Sequence, residues 1–199
     1  MSTTYAGFDI SHHQQGFDFQ LARRQGYTRC YLKASQGSVF KDPSYATFRQ
    51  QAEANEILHG AYHFVDPTIM SKSQIVNFLT ALDGTVGNLF PVLDAESSRG
   101  KDPWMTIELD TRINLLLNMR SQIIRSTGID SVGLYASPSF IDEVLNNDPR
   151  LSVFKLWIAE YGVLVPRIPA PFTTYYAWQY SESGTIGNAE EVDLNTFMV

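Results

Sequence analysis

Apolar and polar residues alternate strictly in Tyr5–Ile10, YAGFDI, putting Tyr5, Gly7 and Asp9 on one face and Phe8 and Ile10 on the other. That is the period of an extended strand, and this one ends in an acid. Phe17–Gln25 holds about two helical turns before Gly26, a natural stop. Thr28–Ser35 is a second strand with Tyr31 and Lys33 on one face, followed by a loop at Gln36–Asp42. Pro43–Glu56 has Pro in its first turn and Tyr45, Phe48 and Ala52 at helical spacing. Leu58–Val65 is the third strand, and Ser71 is placed to cap a helix through Leu82 that buries Ile75, Phe78, Leu79 and Leu82. Phe90–Ala95 is the fourth strand. Thr106–Thr127 is the longest helix, apolar at Ile107, Ile113, Leu116, Leu117, Ile123 and Ile124 and stopped by Gly128. Ser131–Ala136 is a fifth strand, and Ser137–Pro138 opens a helix reaching about Asn146.

Strand and helix thus alternate five times, the signature of a parallel sheet with right-handed crossovers. The pattern then changes. Lys155–Glu160 reads as a strand, but Pro166, Pro169 and Pro171 leave no room for a helix before the next one, Thr174–Tyr180. Ser181–Glu190 is too rich in Gly and Ser for a helix and reads as a connection to a short closing strand, Glu191–Asn195. The total is eight strands and five helices: an α/β chain forming an irregular TIM-like barrel, whose missing late helices bring it below the ~250 residues usual for that architecture. The last connection, about ten residues, is short for a parallel crossover, which allows the eighth strand to run antiparallel. No repeat or linker interrupts the chain, so residues 1–199 are expected to form a single domain.

The stretch FPVLDAES at Phe90–Ser97 carries the candidate chemistry. In an extended strand Val92, Asp94 and Glu96 share one face, and the two acids sit roughly 7 Å apart at their α-carbons, close enough to perturb each other's proton affinity. Acids at a strand end that merely turns into solvent are the ordinary alternative. Asp9, Asp94 and Glu96, however, all fall at the carboxyl ends of parallel strands, the rim where barrels place their chemistry, and an antiparallel last strand brings Asp193 to the same rim. Four carboxylates without His or Cys suit either calcium or magnesium chelation or acid and base roles in glycoside cleavage. Ten Tyr and three Trp tilt the choice toward sugar, whose faces stack on flat rings.

Composition narrows the rest. A net charge of −6 with no basic run leaves no electrostatic footprint for nucleic acid. Cys30 is alone, which excludes an internal disulfide and argues against a Cys-based zinc site; His12, His13, His59 and His63 form no metal-ligand pattern, so no metal or cofactor is expected. No leader opens the chain and no apolar run approaches the roughly 20 residues that span a bilayer.

The motifs GFDIS, YLKASQG, GAYHF, PVLDAES, LYAS, LWIAEY and YAWQYSESGTIG…VDLN, in that order from Gly7 to Phe197, resemble those of the glycoside hydrolase family 25 muramidases, the lysozymes of bacteria and phages. The resemblance implies a barrel of eight strands and five helices that hydrolyses the β-1,4 bond between N-acetylmuramic acid and N-acetylglucosamine in bacterial peptidoglycan. It implies Glu96 as catalytic acid, with Asp9, Asp94 and Asp193 completing the acidic cluster. For Lys33, Tyr62, Tyr135, Trp157, Trp178 and Gln179 it suggests cleft walls, against the plainer reading of barrel filling. The chain departs from the family in the loop SHHQQGFDF, one residue longer before its Gly, and nothing follows Val199 where many relatives carry wall-gripping repeats, so the expectation is either wall binding by the cleft alone or a piece cut from a longer chain.

On this reading Glu96 protonates the departing oxygen, its affinity for the proton raised by an ionised Asp94. Asp94 itself either attacks the sugar directly or holds the substrate's own acetamide for attack, and both courses retain the anomeric configuration. A monomer acting on the cell wall is expected, released from the cell or reaching the wall with help. A chitin-directed barrel glycosidase and a catalytically silent glycan-binding module are the alternatives, although the second has no need of Asp94 and Glu96 together.

Overall fold

The computed structural model describes residues 3–97 and 102–198. Among them nine strands and five α-helices alternate: β1 (Thr4–Ile10), α1 (Phe19–Arg24), β2 (Arg29–Gln36), β3 (Phe40–Lys41), α2 (Tyr45–Ala54), β4 (Leu58–Phe64), α3 (Ser71–Leu82), β5 (Val92–Asp94), α4 (Leu109–Thr127), β6 (Gly133–Ala136), α5 (Pro138–Glu143), β7 (Lys155–Ala159), β8 (Ala177–Ile186) and β9 (Ala189–Met198). Side-by-side pairing runs β1-β9-β8-β7-β6-β5-β4-β2, and a further β1–β2 pairing closes these eight into a barrel. Six pairings are parallel; β9 is antiparallel to both β8 and β1. β3 stands outside the barrel as a short hairpin partner of β2.

The five expected helices and eight barrel strands are all present, and the differences have local causes. Ser181–Glu190 is a hairpin, not a loop. β8 continues to Ile186, turns at Gly187 with φ of +60°, and returns through β9, with register irregularities that bend the ribbon. Gly184 permits this because a Cβ there would collide with the Leu194 side chain, while Ile186 and Val192 anchor the hairpin in the core. Ser71 is the first helical residue of α3 and makes no cap; Met70 precedes it in extended backbone, and the Ser71 hydroxyl accepts from Gln122 Nε2 on α4. α1 is capped by Asp18, whose carboxylate accepts from Leu21 N at 2.8 Å, and α4 ends at Gly128 in left-handed backbone.

Strand alternation divides the interior into two cores. Outward-facing residues such as Phe8, Ile10, Leu32, Leu93, Leu134 and Ile158 pack under the helices against Phe48, Phe78, Leu116 and Ile123. The lumen is aromatic: Tyr31 stacks on Trp157 at 4.7 Å and on Phe197 at 5.9 Å, and Tyr135 meets the Trp157 face edge-on at 4.8 Å. Room for Phe197 comes from Gly7, where a Cβ would run into the Phe197 ring and fall 2.6 Å from the Arg29 carbonyl. This aromatic plug fills the lower lumen and leaves the carboxyl-end rim for polar groups.

Outside the lumen, His63 on β4 is fully buried between Ser35 Oγ, 2.8 Å from Nδ1, and Gln74 Oε1, 3.2 Å from Nε2. Gln74 Oε1 also accepts from Asp66 N, and its amide nitrogen donates to the carbonyls of Asp66 and Ile69. The Gln74 oxygen therefore faces His63, which places the imidazole proton on Nε2 and leaves Nδ1 to accept from Ser35.

Candidate active site

Asp9 is the penultimate residue of β1, Asp94 the last of β5, and Glu96 follows two residues later. Because β9 runs antiparallel to β1, Asp193, in the middle of β9, pairs in register directly with Asp9. Val92 and Asp94 face the lumen while Leu93 and Ala95 face the helices, so the DAE triplet turns both acids inward. The four carboxyls meet in a pocket of about 80 Å³ whose remaining walls are Tyr62, Tyr135, Trp157 and Gln179. Glu96 and Tyr135 also line a wider groove of about 640 Å³, which passes over Ser137, Tyr161, Arg167 and Glu182. Glu96 thus stands where a small acidic well opens onto an extended cleft.

A hydrogen-bond relay ties the well to the plug beneath it. Gln179 Nε2 and Asn195 Nδ2 both donate to Asp9 Oδ2, at 2.8 and 2.7 Å. Gln179 Oε1 accepts from the hydroxyls of Tyr135 and Tyr161, and Asn195 Oδ1 accepts from the Trp157 indole at 2.7 Å. Asp94 is different: it is 7% exposed, and its Oδ1 is buried with no hydrogen-bond partner among the described residues.

Burial pushes the proton affinity of all four acids upward, since a dry wall disfavours charge. Asp9 is raised well above the ordinary carboxylate value by burial and then by the Asp193 charge, against the pull of its two amide donors. Asp94 is raised well above it by burial and by Glu96. Glu96 is raised by burial, with the Lys33 ammonium opposing and Asp193 adding to the rise. Asp193 is pushed up to about 6, chiefly by burial. The expectation that an ionised Asp94 lifts Glu96 therefore needs correcting: desolvation lifts both, and Asp94, the deeper of the two, resists ionisation at least as strongly.

Tyr62, Tyr135, Trp157 and Gln179 come together with the acids as read from the sequence, Trp157 as the floor and the tyrosines as flanks. Lys33 stands beside the pocket, its Nζ donating to Gln36 Oε1 at 3.0 Å and lying 5.0 Å over the Phe64 ring; it acts on the acids through its charge. Trp178 is not a wall of the pocket. It faces outward from β8, packs against the outer core and donates its indole N–H to the Glu160 carbonyl at 2.8 Å. Asn195 and Tyr161 were not singled out from the sequence. Asn195 lies two residues after Asp193 on an alternating strand, and that spacing alone puts both on the lumen face; Tyr161 sits in a loop, where no periodicity points to it.

The sequence profile described as "Glycosyl hydrolases family 25" matches residues 8–189. Two curated relatives are Lysozyme M1 of Streptomyces globisporus, 25% identical over 96% of this chain and 67% of its own, and the autolytic lysozyme of Clostridium acetobutylicum, 29% identical over 96% of this chain. The chain spans 55% of the second protein's length. Among solved structures, the bacterial lysozyme of Streptomyces coelicolor superposes with a TM-score of 0.89 at 24% identity, over 98% of this chain and 92% of that one, which establishes a shared fold.

Proposed function

Since the chain belongs to the glycosyl hydrolases of family 25 and is a glycoside hydrolase, we propose that it is a muramidase that cuts the β-1,4 bond between N-acetylmuramic acid and N-acetylglucosamine in peptidoglycan, with Glu96 as the acid. The observation that carries this reading is the position of Glu96 at the junction of the buried acidic pocket and the open groove, with its carboxyl biased toward the protonated form. A glycan lying in the groove presents a bridging oxygen at that junction. Glu96 gives its proton to this oxygen as the C1–O bond breaks, and later takes a proton from the water that attacks C1.

The unpartnered Asp94 Oδ1 supports a partner role beside Glu96. A buried carboxyl oxygen without a donor is costly until substrate supplies one, and the N–H of a 2-acetamido group is such a donor. Held there, the acetamide oxygen attacks C1 from the face opposite the leaving group; direct attack by Asp94 is the other course. Each inverts C1 twice, for net retention. The closed barrel acts as one catalytic domain and as a monomer, and the names of its lysozyme relatives support the cell wall as its place of action.

Digestion of a purified wall fragment, followed by mass spectrometry of the new reducing ends and proton NMR of the first anomer formed, tests this reading. N-acetylmuramic acid ends with β configuration are expected. N-acetylglucosamine ends, or prompt α-anomer, would overturn the assignment of bond or course.

A further inference from the structure

The relay beneath the acids has a direction, and one group fixes it. An indole N–H can only donate, so Asn195 must turn its oxygen to Trp157 Nε1 and its nitrogen to Asp9 Oδ2. Gln179 is turned the same way by two phenolic hydroxyls that converge on its oxygen, leaving its nitrogen for the same carboxyl atom. Two N–H donors occupy both lone-pair sites of Asp9 Oδ2. Any proton Asp9 carries therefore resides on Oδ1, and the acid paired with Asp9 across the β1–β9 register is Asp193.

We infer that Gln179 and Asn195 are positioning residues, an amide clamp that fixes the plane of the Asp9 carboxyl and reserves its Oδ1 for one proton shared with Asp193. This rests on the reading that the acidic pocket performs the hydrolysis, and it adds a state to that reading: the working enzyme carries Asp9 and Asp193 as a singly protonated pair. The sharing follows from chemistry, since two adjacent half-dry carboxyls cannot both hold charge cheaply. It also agrees with where the two acids sit, lining one pocket, and with their directions: the Asp193 charge adds to the rise at Asp9, and Asp193 is itself pushed up to about 6. The clamp works against burial, because both amides favour ionised Asp9, and so limits how high in pH the shared proton persists.

The other titratable groups around Asp9, whether in the lumen or, like Cys30, on the outer face of the barrel wall, are fixed in charge or of the same sign. Asp94 on β5 is acidic. Cys30 on β2, Tyr62 on β4, Tyr135 on β6 and Tyr161 beyond β7 are all held neutral by burial, with the Asp9 charge contributing. Glu96 completes the same pocket, and the Lys33 ammonium stands beside it, while Glu182 on β8 acts on Asp193. Among the described residues the donors to Asp9 Oδ2 are the two amides, and none of these groups donates to it.

The test is the pH dependence of kcat/KM on a soluble wall fragment for wild type, Asn195→Leu, Gln179→Met and Gln179→Glu. Removing either amide makes Asp9 harder to ionise, so the alkaline limb moves up by about 0.5–1 pH unit, with kcat falling more than KM rises. Gln179→Glu keeps the shape and, while protonated, an O–H donor; its activity appears at acid pH and collapses as the new carboxyl ionises, moving the limb down. Should the Leu variant fail to fold, the Gln179→Glu profile decides alone. Variant profiles that superpose on wild type after scaling would overturn the clamp, reducing it to packing. A wild-type enzyme that releases no new reducing ends would instead overturn the hydrolase reading, a separate failure.

Discussion

Replacing Asp193 by Asn should stabilise the protein at neutral and alkaline pH while damaging activity. Asp193 has a carboxyl raised from 3.8 to about 6, first by burial, with Glu182 adding to the rise. Its folded value exceeds its unfolded one, so the favourable contribution of the neutral form is complete below about pH 4 and is lost as pH rises through 6. At pH 8 the folded chain must hold a charge that the unfolded chain holds at no cost. A rise of 2.2 units at 1.36 kcal/mol each gives about 3 kcal/mol, and partial exposure of the group reduces this to about 1–3 kcal/mol. Asn cannot ionise, and its introduction also removes the Asp193 charge that lifts Asp9, an effect of the same sign. For a chain of this size the melting temperature at pH 8 should rise by roughly 2–10 °C, and the gain should shrink to about 1–2 °C near pH 4. Thermal melts followed by circular dichroism at the two pH values measure it. An Asp193→Asn protein no more stable than wild type at pH 8, or equally stabilised at both, would refute the reasoning that burial of this acid opposes folding.

Two further outcomes follow from buried groups outside the acidic cluster. His63 is lowered to about 4 by burial, so its effect on stability has the opposite sign: present above about pH 6.5, and lost as pH falls toward 4, to the extent of about 3 kcal/mol. A long-range proton–nitrogen spectrum should show the neutral Nε2–H tautomer at pH 6, and a charged imidazole there would contradict the hydrogen bonds to Ser35 and Gln74. Gly7→Ala should cost about 2–4 kcal/mol, because the added Cβ meets the Arg29 backbone as well as the Phe197 ring and the β1 strand must shift; a urea midpoint unchanged from wild type would contradict the packing of the lumen.

The barrel was legible because its logic is local. Alternation at YAGFDI and FPVLDAES sets inward and outward faces, Gly26 and Gly128 stop helices, and the proline cluster at 166–171 forbids a sixth helix. What escaped the sequence depends on partners far along the chain. Ser181–Glu190 reads as a loop by composition, yet it is a hairpin because Gly184 accommodates Leu194 and because Ile186 and Val192 reach the core. Trp178 and Gln179 are neighbours on one strand and cannot both face the lumen; Gln179, with Tyr135 and Tyr161 to satisfy its oxygen, takes the inside. The polarity of the Asp9 relay is set by Trp157, 38 residues from the Asn195 it orients, a contact no local pattern encodes.

The central claim is that Glu96 is the acid that breaks the glycan. Glu96→Gln keeps the shape of the side chain but removes the proton it would donate, so clearing of a cell-wall suspension should fall by about 10²-fold or more, while circular dichroism and the melting curve stay those of a folded barrel. A well-folded Glu96→Gln enzyme that clears walls at close to the wild-type rate would contradict the account.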